Sequence, residues 1–350
     1  MSRFQPVKVL YASADKSLKN ALFEMVEKNE EGIEEVIVYF KPSSINLLTQ
    51  VRQIWALHKG FKHISATRKN PDVIHNHVIF PAGLYAFFAS VFYKIPLLIT
   101  EHWSGYTEPD GRFDKLLFIF QILMRNAAKR ASKISVVSTY LKNSLAEKLD
   151  TSNILITPNV LNVPLQMMQK NEHDKVRALC IGNLNDHEKN VSGILRAMSI
   201  AVKQHPELTL TLVGDGAERK KYEMLATELG LTKQVTFTGK IPNKDISHYY
   251  QNHDFYILNS YFETFNIATA EALLHGLPVI ATRCGGPEEF VTAENGILID
   301  VNNDEQLAQA ISQMTTTLSS YNPEKIAEDM AHKYNNDAIE ASFREMYACI

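Results

Sequence analysis

Short apolar runs rich in β-branched residues recur in both halves of the chain and alternate with stretches of helix length. Continuous apolar runs bounded by Gly, Pro and Asn are typical of parallel strands that are covered on both faces. The alternation therefore predicts an α/β protein with two doubly wound domains. The predicted strands are residues 7–11, 35–40, 73–75, 97–100, 134–138 and 154–157 in the first half, and 177–181, 209–213, 235–238, 255–258, 279–281 and 296–299 in the second.

The length of 350 residues allows two domains with separate cores. Pro158 and Pro164 interrupt regular structure, so we expect the linker within residues 158–171. Predicted helices are residues 18–29, 46–59, 113–130 and 140–149, and residues 323–347 are expected to form two helices that separate near residue 335.

Composition excludes several classes of protein. An apolar content of 45% with 21% charged residues is typical of a globular protein. Three cysteines without short spacing indicate neither a disulfide framework nor a metal site, and a reducing cytoplasm is the expected compartment. The polar N-terminus does not resemble a secretion signal. The longest uncharged stretch, residues 78–93, is too short to span a bilayer.

Charge is divided unevenly along the chain. Residues 1–160 hold 20 Lys/Arg and 14 Asp/Glu, a net of +6, whereas residues 161–350 hold 16 and 25, a net of −9. A basic first half suits an anionic membrane surface or a phosphorylated acceptor, and ordinary surface scatter explains it equally well. The amphipathic residues 113–130 suit either a membrane contact or a helix facing its own sheet, and we favour the sheet.

Two carboxylates, Glu263 and Glu271, lie eight positions apart in the second half. Glu263 is in a polar loop, and Glu271 lies about one turn inside the helix that follows. Free amides at a helix start attract phosphate, and carboxylates accept hydrogen bonds from sugar hydroxyls. The combination indicates a nucleotide-sugar ligand. Ligands of open α/β sheets collect at the carboxyl ends of strands. The second-half loops expected there are residues 182–189, 214–216, 239–241, 259–266 and 282–288.

The two carboxylates are the first residues of a longer motif that also contains three glycines, a proline and a third acid. Its residues are Glu263, Glu271, Gly276, Pro278, Gly285, Gly286 and Glu289. This motif resembles the signature of retaining glycosyltransferases with the GT-B fold, in the large GT4-type family of glycosyl transferases group 1. The resemblance covers most of the chain and is specific in the second half. It implies two Rossmann-like domains that face each other across a cleft. Residues 1–160 would bind the acceptor, residues 161–332 the nucleotide-sugar, and a final helix in 333–350 would cross back to the N-terminal domain.

The resemblance also implies roles for individual residues on the donor side. Lys189 would clamp the donor diphosphate and offset leaving-group charge, and Asn183 stands where the family usually has Arg. Glu271 would accept hydrogen bonds from the ribose hydroxyls, and Glu263 would hold hydroxyls of the transferred sugar. The implied donor-binding residues are Gly182, Asn183, Lys189, Gly214, Gly216, Gly239, Lys240, Ile241, Glu263, Thr264, Phe265, Asn266, Ile267 and Glu271.

In the first half, His102 follows a strand and matches a histidine that many relatives place beside the reacting sugar. Together with Glu263 and Lys189 it forms the implied catalytic set. Acceptor contacts are assigned to Lys16, His77 and Trp103, although Trp103 suits interface packing equally well. Relatives commonly carry a Gly-Gly loop after the first strand, whereas residues 11–18 contain no glycine.

The sequence is thus interpreted as a retaining transferase that moves a hexose-type sugar from a nucleoside diphosphate to a saccharide or lipid-linked acceptor in surface glycan synthesis. No metal and no resident cofactor are expected, and no nucleic-acid partner. A peripheral membrane contact is left open. The alternatives are another GT-B enzyme, such as a phosphorylase or a nucleotide-sugar epimerase, and a catalytically weak scaffold subunit that binds nucleotide.

Overall fold

The structure, a computed structural model, describes residues 7–18, 21–30, 32–67, 70–161, 175–334 and 336–350. Most of the linker predicted at residues 158–171 lies outside these ranges. The described residues form two Rossmann-like α/β halves, in agreement with the fold predicted from the sequence.

The first half holds two sheets. One has the order β1-β3-β2, and the other runs β4-β5-β6-β7 with every neighbouring pair parallel. Its strands are β1 (Lys8–Ala14), β2 (Phe23–Glu30), β3 (Ile33–Phe40), β4 (Ile74–His77), β5 (Leu97–Glu101), β6 (Lys133–Val136) and β7 (Ile154–Ile156). Its helices are α1 (Asn46–Thr67), α2 (Leu84–Tyr93), α3 (Phe118–Arg130) and α4 (Thr139–Leu149).

The helix predicted at residues 18–29 is wrong. Strand β2 covers most of that segment and pairs antiparallel with β3. Phe23 and Met25, two positions apart, pack on the apolar cluster that contains Val38 and Phe40 of β3. This period of two places both side chains on one face of the strand, and their contacts with β3 outweigh the local helix preference of the segment.

The second half is one six-stranded parallel sheet with the order β10-β9-β8-β11-β12-β13. Its strands are β8 (Val176–Ile181), β9 (Leu208–Val213), β10 (Val235–Gly239), β11 (Phe255–Leu258), β12 (Val279–Thr282) and β13 (Gly296–Ile299). The helices that follow are α5 (Asp186–Lys189), α6 (Val191–Ala201), α7 (Arg219–Glu228), α8 (Asn243–Gln251), α9 (Ile267–Leu274), α10 (Asp304–Thr317), α11 (Pro323–Lys333) and α12 (Asn336–Tyr347).

The strand order of this sheet reverses between β8 and β11. Ligands of open α/β sheets bind where the order reverses, outside the carboxyl ends of the strands. The loops that leave β8 and β11 are therefore the ones that the topology places at the crevice. Lys189, the last residue of the short helix α5, lies in the connection after β8, and Glu263 lies in the loop after β11.

The two halves contact each other through apolar packing and hydrogen bonds. One buried cluster contains Phe113 and Leu141 from the first half and Phe265 and Phe290 from the second. Helix α12 returns to the first half and packs on β6 and β7. No described helix combines the length and the hydropathy needed to cross a membrane.

Candidate functional site

Glycines hold the loops after β8, β9 and β10 against one another. A Cβ on Gly214 would lie 1.9 Å from the carbonyl oxygen of Gly182, and a Cβ on Gly216 would lie 2.0 Å from that of Leu184. The amide of Gly214 also donates to the carbonyl of Gly239 at 3.0 Å. Glycine is required here because backbone approaches backbone, whatever ligand binds nearby. The predicted donor glycines are thus brought together at one edge of the sheet.

Lys189 and Glu263 form an ion pair across the crevice between the loops after β8 and β11. Glu263 also accepts a hydrogen bond of 2.8 Å from the Ser260 hydroxyl. Burial alone would lower the pKa of Lys189, but the Glu263 carboxylate raises it above its ordinary value. Lys189 therefore remains a cation at neutral pH, as a diphosphate ligand requires.

The backbone of Glu263 is fixed by the loop after β12. Its amide donates to the Cys284 carbonyl and its carbonyl accepts from the Gly286 amide, each at 2.8 Å. A Cβ on Gly286 would lie 2.5 Å from the Cα of Phe265, so only glycine allows this approach. Gly286 of the sequence motif thus supports the loop that carries the first carboxylate.

Asn266 begins helix α9 in a left-handed conformation, with φ 69°. Its side chain accepts hydrogen bonds of 2.8 Å from both the amide and the hydroxyl of Thr269. Asparagine is one of the few residues besides glycine that tolerates this φ, and it is also a good N-cap. Among the described residues, no hydrogen bond uses the amides of Thr264, Phe265 and Asn266 as donors. Three amides at a helix start are therefore free to bind an anion.

Glu271 lies inside α9 and accepts a 3.1 Å hydrogen bond from the hydroxyl of Tyr250 in α8. Burial raises the pKa of Glu271 above its usual value, and the Tyr250 hydroxyl opposes part of that rise. The ring of His275 stacks on the ring of Tyr250 at 4.8 Å between centroids. The sequence does not point to Tyr250, because its link to Glu271 spans two helices.

Glu101 is a second residue that the sequence analysis missed. The carboxylate is fully buried and accepts the amides of Ile79, His102 and Trp103, each at 2.9 Å, and the hydroxyl of Tyr106 at 3.0 Å. Burial raises its pKa, and these four donors stabilise the ionised form. Glu101 therefore fixes the loop that presents His102. Its position at the end of an apolar strand was the available signal.

His102 lies where the two halves meet. Its carbonyl accepts a 3.2 Å hydrogen bond from the Thr264 hydroxyl of the second half. Its Nε2 is 3.5 Å from Nδ1 of His77, and the two rings are stacked. Burial, together with His77, lowers the pKa of His102 to about 4. The imidazole is therefore neutral at pH 7 and offers one donor and one acceptor rather than a charge.

The remaining predicted residues are less closely joined to this site. The Trp103 ring packs over Gly105, contacts Tyr106 at 5.2 Å between centroids and lies beneath Arg112, so it contributes to packing. Lys16 is exposed in the connection after β1. The others, which occupy exposed or half-buried positions at the loop ends, are Asn183, Lys240, Ile241 and Ile267.

Within the described ranges, no group of His, Cys, Asp and Glu side chains is arranged to hold a metal ion. His75 and His77 stack on each other, but the hydrogen-bonding partners of His75 are the hydroxyls of Tyr347 and Thr100, each at 2.7 Å. His75 is therefore part of the contact between α12 and the first half.

Two family descriptions match the chain. Residues 6–163 match Glycosyltransferase Family 4, and residues 165–332 match Glycosyl transferases group 1. Together they cover nearly the whole chain.

The chain is also similar to curated proteins. An uncharacterized glycosyltransferase of Haemophilus influenzae is 29% identical over 199 residues, which is 56% of this chain and 55% of the relative. A lipopolysaccharide core biosynthesis glycosyltransferase, LpsE of Rhizobium meliloti, is 30% identical over 151 residues, which is 42% of this chain and 44% of the relative. The chain thus spans about half the length of these relatives.

Among solved structures, HepE of Anabaena in complex with UDP superposes with a TM-score of 0.73 at 19% identity. The match covers 90% of this chain and 86% of that protein. HepE was also solved with UDP-glucose. At this level of identity, the similarity establishes the fold.

Proposed function

Because the chain belongs to the family of glycosyl transferases group 1, we propose that it is a retaining glycosyltransferase that uses a nucleoside-diphosphate sugar. The acceptor in this proposal is a hydroxyl of a saccharide or lipid-linked molecule, and the product is part of a surface glycan. A relative that acts in lipopolysaccharide core synthesis supports this class of acceptor.

One observation carries the proposal. A cation, a carboxylate and three free amides meet at the topological switch point, and a second, half-buried carboxylate, Glu271, lies in the helix that follows the amides. The diphosphate is bound by Lys189 and by the amides that precede α9, because both attract negative charge. Glu271 accepts hydrogen bonds from the ribose diol. Glu263 exchanges its bond to Lys189 for hydroxyls of the transferred sugar.

The same groups account for the transfer step. As the bond between the sugar and the diphosphate lengthens, positive charge develops on the ring and negative charge on the departing oxygen. Lys189 stabilises the negative charge on the departing oxygen. The neutral His102 lies beside the reacting face and brings no positive charge that would repel the positive charge on the sugar ring. In a front-face displacement, the departing phosphate accepts the proton of the attacking hydroxyl. The two glutamates bind hydroxyls in this scheme, so they do not act as the acid and nucleophile of a glycosidase.

The test is a donor screen followed by product analysis. The full chain is incubated with UDP-, GDP- and ADP-sugars, with and without simple saccharide acceptors, and proton NMR follows nucleotide release and anomeric configuration. UDP-glucose is the first donor to try, since HepE binds it. The proposal expects nucleotide release with retained configuration, unaffected by a chelator. Epimerised donor, phosphate-dependent release or nucleotide binding without turnover would instead identify an epimerase, a phosphorylase or a scaffold subunit.

A further inference from the structure

Helix α2 is apolar on every side. Its ten residues include no charged side chain, and its inner face is buried through Leu84 and Ala89. Its outer face carries Phe88, Val91 and Phe92, which are 53%, 52% and 79% exposed. A helix without a polar face is normally enclosed on all sides. The outer face of α2 is therefore unusual for a surface in contact with water.

The neighbouring helices extend this apolar surface. Helix α2 packs against both α1 and α3. On α1, Trp55 is 55% exposed, and its ring reaches α2 through His58, which contacts Tyr85. Three more exposed side chains lie at the start of α3, where Phe118 is 71% exposed. We name as the apolar face the side chains of Trp55, Phe88, Val91, Phe92, Leu117, Phe118 and Ile119.

The charged residues nearest in sequence to the apolar face are mostly basic. Residues 41–100 contain seven Lys or Arg and a single acid, Asp72. Lys62 on α1, Lys94 at the end of α2 and Lys115 before α3 are all exposed. The acid closest in sequence to the α3 side chains, Asp114, is bound by Lys148 at 2.8 Å. The apolar face is thus bordered by cations.

Large aromatic side chains with surrounding lysines and almost no acids match the boundary between headgroups and acyl chains in an anionic bilayer. We propose that the apolar face binds the surface of an anionic lipid membrane. In this arrangement Phe92 and Phe118 enter the acyl boundary, and the lysines contact lipid phosphates. The inference does not depend on the transfer reaction, because binding to vesicles is measured without donor or acceptor.

Vesicle flotation tests the inference with the full chain. Vesicles of phosphatidylcholine alone are compared with vesicles that also contain phosphatidylglycerol. The wild type is expected to float with the anionic vesicles and to be released by high salt. The double variant Phe92→Glu/Phe118→Glu is expected to bind at least about tenfold more weakly, because two apolar groups become anions. Lys62→Ala and Lys94→Ala should each weaken binding by about fivefold.

Met224→Glu serves as the matched control, since Met224 is 62% exposed on α7 of the other half. It is expected to bind like the wild type. Circular dichroism and urea midpoints confirm that every variant is folded. Equal binding by the double variant, or no binding of the wild type to anionic vesicles, would overturn the inference. A third result would also overturn the inference: the wild type sediments as a dimer, Phe92→Glu sediments as a monomer, and vesicles bind neither protein. The apolar face would then be the contact with a second copy of the chain.

Discussion

At the scale of single residues, the structure joins Lys189 and Glu263, two groups that the sequence suggests as separate ligand contacts. The ion pair holds both side chains at the crevice and keeps the lysine charged. When a ligand binds, its phosphate replaces Glu263 as the partner of Lys189, and its hydroxyls replace Lys189 as the partner of Glu263. Donor binding therefore does not have to desolvate an unpaired charge.

Lys189→Ala is expected to lower kcat by roughly a hundredfold or more, because the departing diphosphate loses its cation. Steady-state kinetics with the donor identified by the screen provide the measurement. Lys129→Ala is the matched control, since Lys129 forms an exposed ion pair with Asp150 far from the crevice. A Lys189→Ala enzyme with wild-type kcat would show that the pair is structural only.

Asn266 provides a test of the start of α9. Asn266→Gly keeps the left-handed backbone and loses only the cap, at a cost of a few tenths of a kcal/mol. Asn266→Ala loses the cap and adds the strain of a left-handed Cβ, about 2 kcal/mol together. Urea unfolding measures both. If the two variants were equally stable, the left-handed φ would impose no cost on a Cβ at this position. If both were as stable as the wild type, the cap would not matter either.

At the scale of elements, the loops after β8, β9 and β10 behave as one unit because their glycines let backbones touch. Gly214→Ala is expected to cost about 3 kcal/mol or more, since the new Cβ meets a carbonyl that cannot rotate away. Gly230→Ala is the matched control: φ is also positive, but no atom lies within 4 Å of the Cβ position. It should cost only about 1–2 kcal/mol. Equal losses in chemical denaturation would contradict a backbone clash at Gly214.

Every strand that the sequence predicted is present in both halves, and the one wrong element lies in the first half, where β2 replaces a predicted helix. In the second half, each strand is a short apolar run between turn residues, and the glycines and carboxylates of the motif mark the loops. Residues 18–29 were predicted wrongly because their contacts with β3 are made only in the folded protein. Tyr250 and Glu101 were missed for a similar reason. Their partners are defined by packing or by backbone amides, which leave no pattern in the sequence.

At the scale of the whole molecule, the histidines between the halves link stability to pH. Burial, with a contribution from its neighbouring histidines, lowers the pKa of His75 to about 3, and that of His102 is about 4, against an ordinary value of 6.5. Below about pH 6.5 these two histidines therefore bind protons in the unfolded chain but stay neutral in the folded protein. Their contribution to stability is complete above that pH and is lost as the pH falls towards 4.

His102→Gln is expected to reduce the loss of unfolding free energy that accompanies a fall in pH from about 6.5 to 4. The reduction should be about 1–3 kcal/mol over this pH range. Urea unfolding at several pH values measures the difference from the wild type, which separates this histidine from other acid-sensitive groups. Exposed His332→Gln is the control. Parallel pH profiles for the wild type and His102→Gln would contradict the lowered pKa.

The central claim is that the crevice between the loops after β8 and β11 binds a nucleoside diphosphate, with Glu271 on its ribose. Calorimetric titration of UDP, GDP and ADP into the wild type and Glu271→Ala tests it most directly, with exposed Glu294→Ala as the control. At least one nucleotide is expected to bind the wild type and the control alike, and to bind Glu271→Ala about tenfold to a hundredfold more weakly. If none of the three bound the wild type, or if a folded Glu271→Ala variant bound with unchanged affinity, the claim would be contradicted.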